Sequence, residues 1–275
     1  MGQGTVITVQ GGGQSLVRGL KRQSSVILAI IFKEIKVRSR TSKFGLMFVL
    51  IEPIIYIIAI TLVRWLIRGR TEVDGLHVMV WIPLGVAAYL MFMRAVTKIP
   101  SAIASNRGLL DYPQVKPIDP LLGVFILEMM LTMLGSCLAI FGIWWFFGYF
   151  PSLPRPLEAI GVIAALLAGC LGVGLILGVY GTFYENIPRM MKFVNRPMIF
   201  ISDVILPISM LPAAFREYLA WNPLLQFVQH FRLYAAGQRT IPEADLGYAC
   251  LCSALVLGVG MIAYYANRYR LVQSR

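Results

Sequence analysis

Charge is scarce in this chain of 275 residues. Asp, Glu, Lys and Arg make up 14% of it, against about 25% in a soluble globular domain. Hydrophobic residues reach 58% and the mean hydropathy is +0.73. That shortage excludes a soluble enzyme, a disordered chain and a disulfide scaffold. Histidine is nearly missing, at two residues, so a histidine-built metal centre has no material. The four cysteines, Cys137, Cys170, Cys250 and Cys252, all fall in apolar runs and read as small buried hydrophobes. No G-x-x-x-x-G-K-[ST] stretch is present, so no P-loop is expected in this chain. HExxH and a Ser-His-Asp arrangement are missing too, so no catalytic residue and no metal ligand is assigned. Residues 1–24 lack an apolar core of their own and are expected to be a mobile polar tail without a cleavable signal peptide. Val6 stands where a myristoylation signal needs Ser or Thr.

Long apolar runs are what the chain does have. Six occur, at about 44–66, 76–96, 118–149, 157–183, 194–212 and 245–267. A helix rising about 1.5 Å per residue needs about 20 residues to cross a hydrocarbon core of about 30 Å. The expected fold class is therefore all-α integral membrane, with six transmembrane helices in a domain over 44–275. Val26–Lys43 is apolar in its first half (VILAIIF) and basic in its second (KEIKVRSR). That pattern predicts an amphipathic helix lying in the interface over 25–43. The segment 213–240 splits at Asn222-Pro223, an N-cap followed by a first-turn proline. It predicts a broken re-entrant hairpin between spans 5 and 6.

The net charge of +12 would suggest nucleic acid in a soluble protein; here its distribution assigns sides. Eighteen Lys and Arg residues fall in the N-terminal segment, the 2–3 and 4–5 connections and the C-terminus, against seven on the opposite side. The positive-inside rule places both termini in the cytoplasm. The 94–120 connection is cytoplasmic, with a short helical stretch after Pro100-Ser101 and then Pro113, Pro117 and Pro120. It suits a docking element, and equally an ordinary solvated loop, the commoner case in membrane proteins.

Three acids fall inside spans: Glu52, Glu128 and Asp203. Such a group is either functional or a hydrogen bond between helices. Both readings stay open at Glu52, and the structural one leads at the other two. Arg64 and Arg68 share a helical face near the outer end of span 1, where they either snorkel to phosphates or line a path for an anion. Trp144, Trp145 and Tyr149 fit an interfacial belt, and equally a surface on which sugar rings stack.

Four stretches carry a resemblance: Phe44–Pro53 with its Glu-Pro, NRGLLDYPQVKPIDPLL at 106–122, FVNRPMIFIS at 193–202 and LPAAFREYLAWNPLLQFVQHFR at 211–232. Over about residues 25–270 the chain resembles ABC-2 type permeases. It is most similar to the KpsM-like inner-membrane permeases of capsular polysaccharide exporters. It departs from their pattern at Asp203, where a small residue such as Gly is expected, and at 123–125, where a basic residue is expected.

The resemblance implies a homodimer in the bacterial inner membrane, paired with two P-loop ATPase subunits that bind ATP and Mg. The cargo implied is lipid-linked, often acidic, capsular polysaccharide, handed on to a periplasmic co-polymerase and an outer-membrane export protein. It casts Glu52, Tyr56, Arg64, Arg68, Trp144, Trp145 and Tyr149 as conduit candidates, and Arg38, Arg40 and Arg107 as the cytoplasmic entrance. Lys33, Glu34, Lys98, Ser101, Asn106 and Asp111 become ATPase-coupling candidates. Trp221, Asn222, Pro223 and Arg232 belong to the periplasmic hairpin. O-antigen, teichoic-acid or small-molecule export is the alternative within the class; a membrane-embedded glycan-modifying enzyme is the alternative outside it.

Overall fold

The computed structural model describes residues 12–41, 45–68, 72–184 and 186–273. These form ten α-helices and one two-stranded hairpin. Helix α1 (Gly12–Thr41) begins within the expected tail, so residues 12–24 are helical and continuous with the interfacial segment. Gln14 to Gln23 contains no proline, which leaves nothing to stop the helix before it reaches the glycines. Helix α2 (Gly45–Arg68) runs through Pro53.

Strands β1 (Glu72–Val73) and β2 (Leu76–His77) pair antiparallel, Glu72 with His77 and Val73 with Leu76. Asp74 and Gly75 between them have φ of 49° and 82°. Asp-Gly at two left-handed positions closes the tightest hairpin. Helix α3 (Val78–Lys98) starts there, and the His77 ring caps it by accepting from the Met79 N–H at 3.2 Å. A 3₁₀ turn (Ile99–Ser101) and the short α4 (Ala102–Ser105) prolong α3. Helices α5 (Ile118–Phe147) and α6 (Pro156–Phe183) follow.

Among the described residues, four helices are long and apolar enough to cross a membrane: Val78–Ser105, Ile118–Phe147, Pro156–Phe183 and Leu246–Leu271. The first is the core of the protein. Every residue from Val78 to Met91 is buried, because α2, α5, α6, α7 and α9 all pack on it. A helix that is apolar all round belongs there. The outer faces of α5, α6 and α10 (Leu246–Gln273) instead expose Met130, Phe141, Ile160, Leu255 and Ile262, side chains that suit lipid. Helices α6 and α10 meet backbone to backbone. A methyl at Gly172 would lie 2.5 Å from the Leu257 nitrogen, and one at Gly260 would lie 2.7 Å from the Gly172 carbonyl.

The fifth apolar run differs most from expectation. It is not one helix over 194–212. Helix α7 (Asn186–Ile201) has 16 residues, about 24 Å at the α-helical rise and short of the core thickness. The chain then turns at Asp203, whose φ is 57°, and at Pro207 and Pro212, which break helical hydrogen bonding. Helix α8 (Ala213–Ala220) and helix α9 (Pro223–Ala236) come next. Asn222 caps α9 by accepting from the Leu224 N–H at 3.0 Å, with Pro223 in the first turn.

Candidate functional site

Two buried polar knots and one groove stand out from the apolar packing. The first knot joins four helices. Arg38 of α1 donates to Glu128 of α5 at 2.5 Å. Arg94 of α3 lies 3.5 Å from the second oxygen of Glu128 and 2.8 Å from Glu52 of α2. Two arginines and two glutamates alternate, so the cluster is neutral. The side chain of Glu128 is 1% exposed and that of Arg94 is 4% exposed, whereas that of Glu52 is 56% exposed. The chain of ion pairs therefore runs from α1 through the core to an open side of α2. Breaking a buried pair by removing one partner costs about 3–5 kcal/mol, because the other charge is left uncompensated.

Beside this knot, α1 is clamped to the connection that follows α3. Lys33 Nζ donates to the Asn106 side-chain oxygen at 2.7 Å and to the Ser105 carbonyl at 3.2 Å. Asn106 Nδ2 donates to Glu34 at 3.0 Å and to the Ala102 carbonyl at 2.9 Å. Nearer the start of α1, Gln23 Nε2 donates to Asp119 at 3.1 Å. Asp119 also accepts from the Lys116 N–H at 2.8 Å, which fixes the first turn of α5.

The second knot centres on Arg232 of α9, whose guanidinium is fully buried. It donates to the Trp81 carbonyl at 2.8 Å, to the Asp203 carbonyl at 2.7 Å and to the Asp203 carboxylate at 2.8 Å. Asp203 accepts further from the Ile208 N–H at 2.9 Å and from Gln229 Nε2 at 2.6 Å. The guanidinium lies 3.7 Å over the Trp81 ring, and Arg64 of α2 lies 5.6 Å from the same ring. Arg64 also donates to the Ile205 carbonyl. A methyl at Gly85 would sit 2.0 Å from Arg232 Nη2, so only glycine leaves α3 open to this fork. The knot satisfies the backbone of the turn after α7, where helical partners run out. Asp203 was the departure from the family pattern, and its positive φ explains both residues. Glycine adopts that conformation freely, and Asp is among the side chains that tolerate it.

The groove lies between α2, α3 and α7 and has a volume of about 410 Å³. Tyr56, Tyr89, Lys192, Asn195, Arg196 and Phe200 line it.

The expected site residues divide among these places. Of the coupling candidates, Lys33, Glu34 and Asn106 meet in the clamp. Lys98, Ser101 and Asp111 are exposed elsewhere, and so is the entrance candidate Arg107. The entrance candidate Arg38 is paired with Glu128. The side chains of Arg40 and Arg68 lie outside the described residues. Among the conduit candidates, Glu52 belongs to the first knot, Arg64 to the second and Tyr56 to the groove. Trp144 and Trp145 are exposed at the end of α5, apart from all three. Tyr149 stacks on His77, ring centroids 3.7 Å apart and planes at 6°. Burial pushes the His77 imidazole below its ordinary pKa despite the charge of Glu72. In the hairpin, Asn222 also donates to Ser202 Oγ at 2.8 Å. Trp221 presents its ring to the surface, and Arg232 is internal.

Arg94, Lys192, Asn195 and Arg196 were not singled out from the sequence. Arg94 had a signal in it: an arginine at the cytoplasmic end of one apolar run, with unpartnered acids in two others.

A buried helix wrapped by apolar neighbours, a basic helix clamped to the loop after it and ion pairs linking the two describe a helical membrane domain. The chain belongs to the ABC-2 type transporter family, whose model matches residues 25–234. It is similar to the polysialic acid transport protein KpsM of Escherichia coli, 24% identical over 256 residues that cover 93% of this chain and 98% of that one. The capsule polysaccharide export inner-membrane protein CtrC of Neisseria meningitidis is 21% identical over 261 residues, 92% and 96% of the two chains. The corresponding protein BexB of Haemophilus influenzae is 20% identical over 256 residues, again 92% and 96%.

Proposed function

We propose that this chain is the permease subunit of an ATP-driven exporter that moves lipid-linked, acidic capsular polysaccharide across the inner membrane. The observation that carries the reading is the end-to-end similarity to three capsule export and polysialic acid transport proteins. With no P-loop in this sequence, ATP and Mg belong to a separate ATPase subunit, two copies of which serve a homodimer of the permease. A periplasmic co-polymerase and an outer-membrane export protein take over the polymer.

In this reading α2, α3, α5, α6, α7 with the turns after it, and α10 make six crossings with both termini in the cytoplasm. The bias of eighteen basic residues against seven supports that orientation. The α8–α9 pair then forms the periplasmic hairpin. ATP-driven closure of the ATPase pulls on α1 and the clamped loop 102–119. The Arg38–Glu128–Arg94–Glu52 chain passes that motion to α2, and α2 and α7 move against their dimer mates. Exposed aromatics and weak polar contacts let a repetitive polymer slide, since tight binding would stall it.

Deleting the chromosomal copy tests this directly. Surface capsule is lost while polymer accumulates inside the cell, and the tagged chain co-purifies with a P-loop ATPase. Undiminished surface capsule in the deletion strain overturns the reading.

A further inference from the structure

The cations in the two knots face carboxylates or backbone oxygens. The groove between α2, α3 and α7 is different. Lys192 and Arg196 line it from one side of α7, four residues apart, and no Asp or Glu lines it. Among the described residues neither cation makes an ion pair; the Arg196 guanidinium rests 5.8 Å over the Phe193 ring. Between them Asn195 is buried, at 4% exposure, and its side-chain oxygen has no hydrogen-bond partner among the described residues. A buried orphan acceptor in a native fold calls for a missing donor. The backbone here is held: Tyr89 Oη donates to the Asn195 carbonyl at 3.0 Å and ties α3 to α7. Tyr56, Tyr89 and Phe200 add aromatic rings to the lining. At about 410 Å³ the groove falls in the range of small-ligand clefts, about 300–1,000 Å³.

Free positive charge, an unpartnered buried acceptor and aromatic rings in one cleft match one chemistry: a negatively charged, hydroxyl-rich ring. We propose that the groove binds an acidic sugar residue of the exported glycan. Its carboxylate sits between Lys192 and Arg196, one hydroxyl donates to Asn195 Oδ1, and the ring lies against Tyr56 and Tyr89. This rests on the export reading and gives it a specificity determinant. Charge on the sugar is what this groove selects.

The test uses the purified full chain in phosphatidylcholine nanodiscs, titrated with a fluorescent hexamer of galacturonic acid and, separately, with labelled maltohexaose. The uronate hexamer binds more tightly, and the preference shrinks as salt rises. The double variant Lys192→Gln with Arg196→Gln loses about tenfold for the uronate, as expected for two charge-assisted contacts, and leaves maltohexaose unchanged. Lys192→Arg with Arg196→Lys keeps the preference, which separates lost charge from lost fold. Equal binding of the two hexamers by the wild type, or unchanged uronate binding by the Gln variant, overturns the site. Displacement of the uronate by 20% phosphatidylglycerol in the nanodisc also overturns it, in favour of a lipid-phosphate site. In cells, a Gln-variant strain with normal capsule beside a deletion strain with none overturns this site alone. A deletion strain that keeps its capsule overturns the export reading beneath it.

Discussion

Single side chains set the sharpest expectations. Glu128→Gln removes the negative charge shared by Arg38 and Arg94. It should cost about 3–5 kcal/mol, read as a lower melting temperature of the detergent-purified protein and less assembled permease in membranes. Arg38→Ala leaves Glu128 with Arg94 at 3.5 Å, so its loss should be the smaller of the two. A reversed order would mean that the knot is held from outside the spans. Gly85→Ala drives a methyl into the Arg232 fork and should cost about 1–3 kcal/mol, the range for overpacking a tight core. Melting checks it, and a neutral result would place Arg232 elsewhere. His77 accepts from a backbone N–H through Nδ1, which requires that nitrogen to be unprotonated. Its depressed pKa means that the cap is present above the ordinary value of about 6.5 and is lost as pH falls below it. The His77 ring resonances should titrate below that value and return toward it in the unfolded chain.

At the scale of elements, a protein can be tied together by contacts that a linear reading assigns to partners. Lys33, Glu34 and Asn106, candidates for ATPase coupling, meet one another across α1 and the loop after α3. Asn106→Ala removes the hub of that clamp. Hydrogen exchange in α1 should rise around residues 30–36 while α6 and α10 stay protected; uniform exchange across the chain would show that α1 is held by its apolar face alone. Legibility differed between elements for physical reasons. The break at Asn222-Pro223 was readable because capping is local chemistry, complete within three residues. The end of α7 was not. Hydropathy continues from 194 to 212, and the turn at Asp203 is stabilised by Arg232, 29 residues away. Charge counting found Glu128 and Asp203 as buried acids with structural roles but could not name their arginines, since sequence separation hides a contact across helices. The groove was invisible for the same reason. Lys192 and Arg196 read as positive-inside markers, and only packing shows that they share a groove with Tyr56 and Tyr89.

For the whole molecule, the proposed orientation rests on the basic-residue bias and is open to direct labelling. In a cysteine-free background, Cys placed at Ser152 should react with an impermeant maleimide in intact spheroplasts. Cys placed at Gln114 should react only after the membrane is opened. The opposite pattern would invert the topology and place the clamp of α1 outside. The wrapped α3 also divides the protein into an inner helix, buried from Val78 to Met91, and outer helices α5, α6 and α10 that carry the apolar surface. Changes in bilayer thickness should therefore tilt the outer helices first.

The order of the ionised residues along the chain has a consequence for synthesis. Glu52 and Arg94 lie on the consecutive helices α2 and α3, so in the proposed six-span topology they enter the membrane as one hairpin with opposite charges already matched. Glu128 arrives with α5, after both of its arginines, Arg38 and Arg94, have been made. A glutamate entering hydrocarbon alone would stall at the translocon; here each finds its counter-ion on a segment inserted before or with it. Asp203 is the exception: it precedes its partner Arg232 by 29 residues, so that pair can close only after α9 has been made.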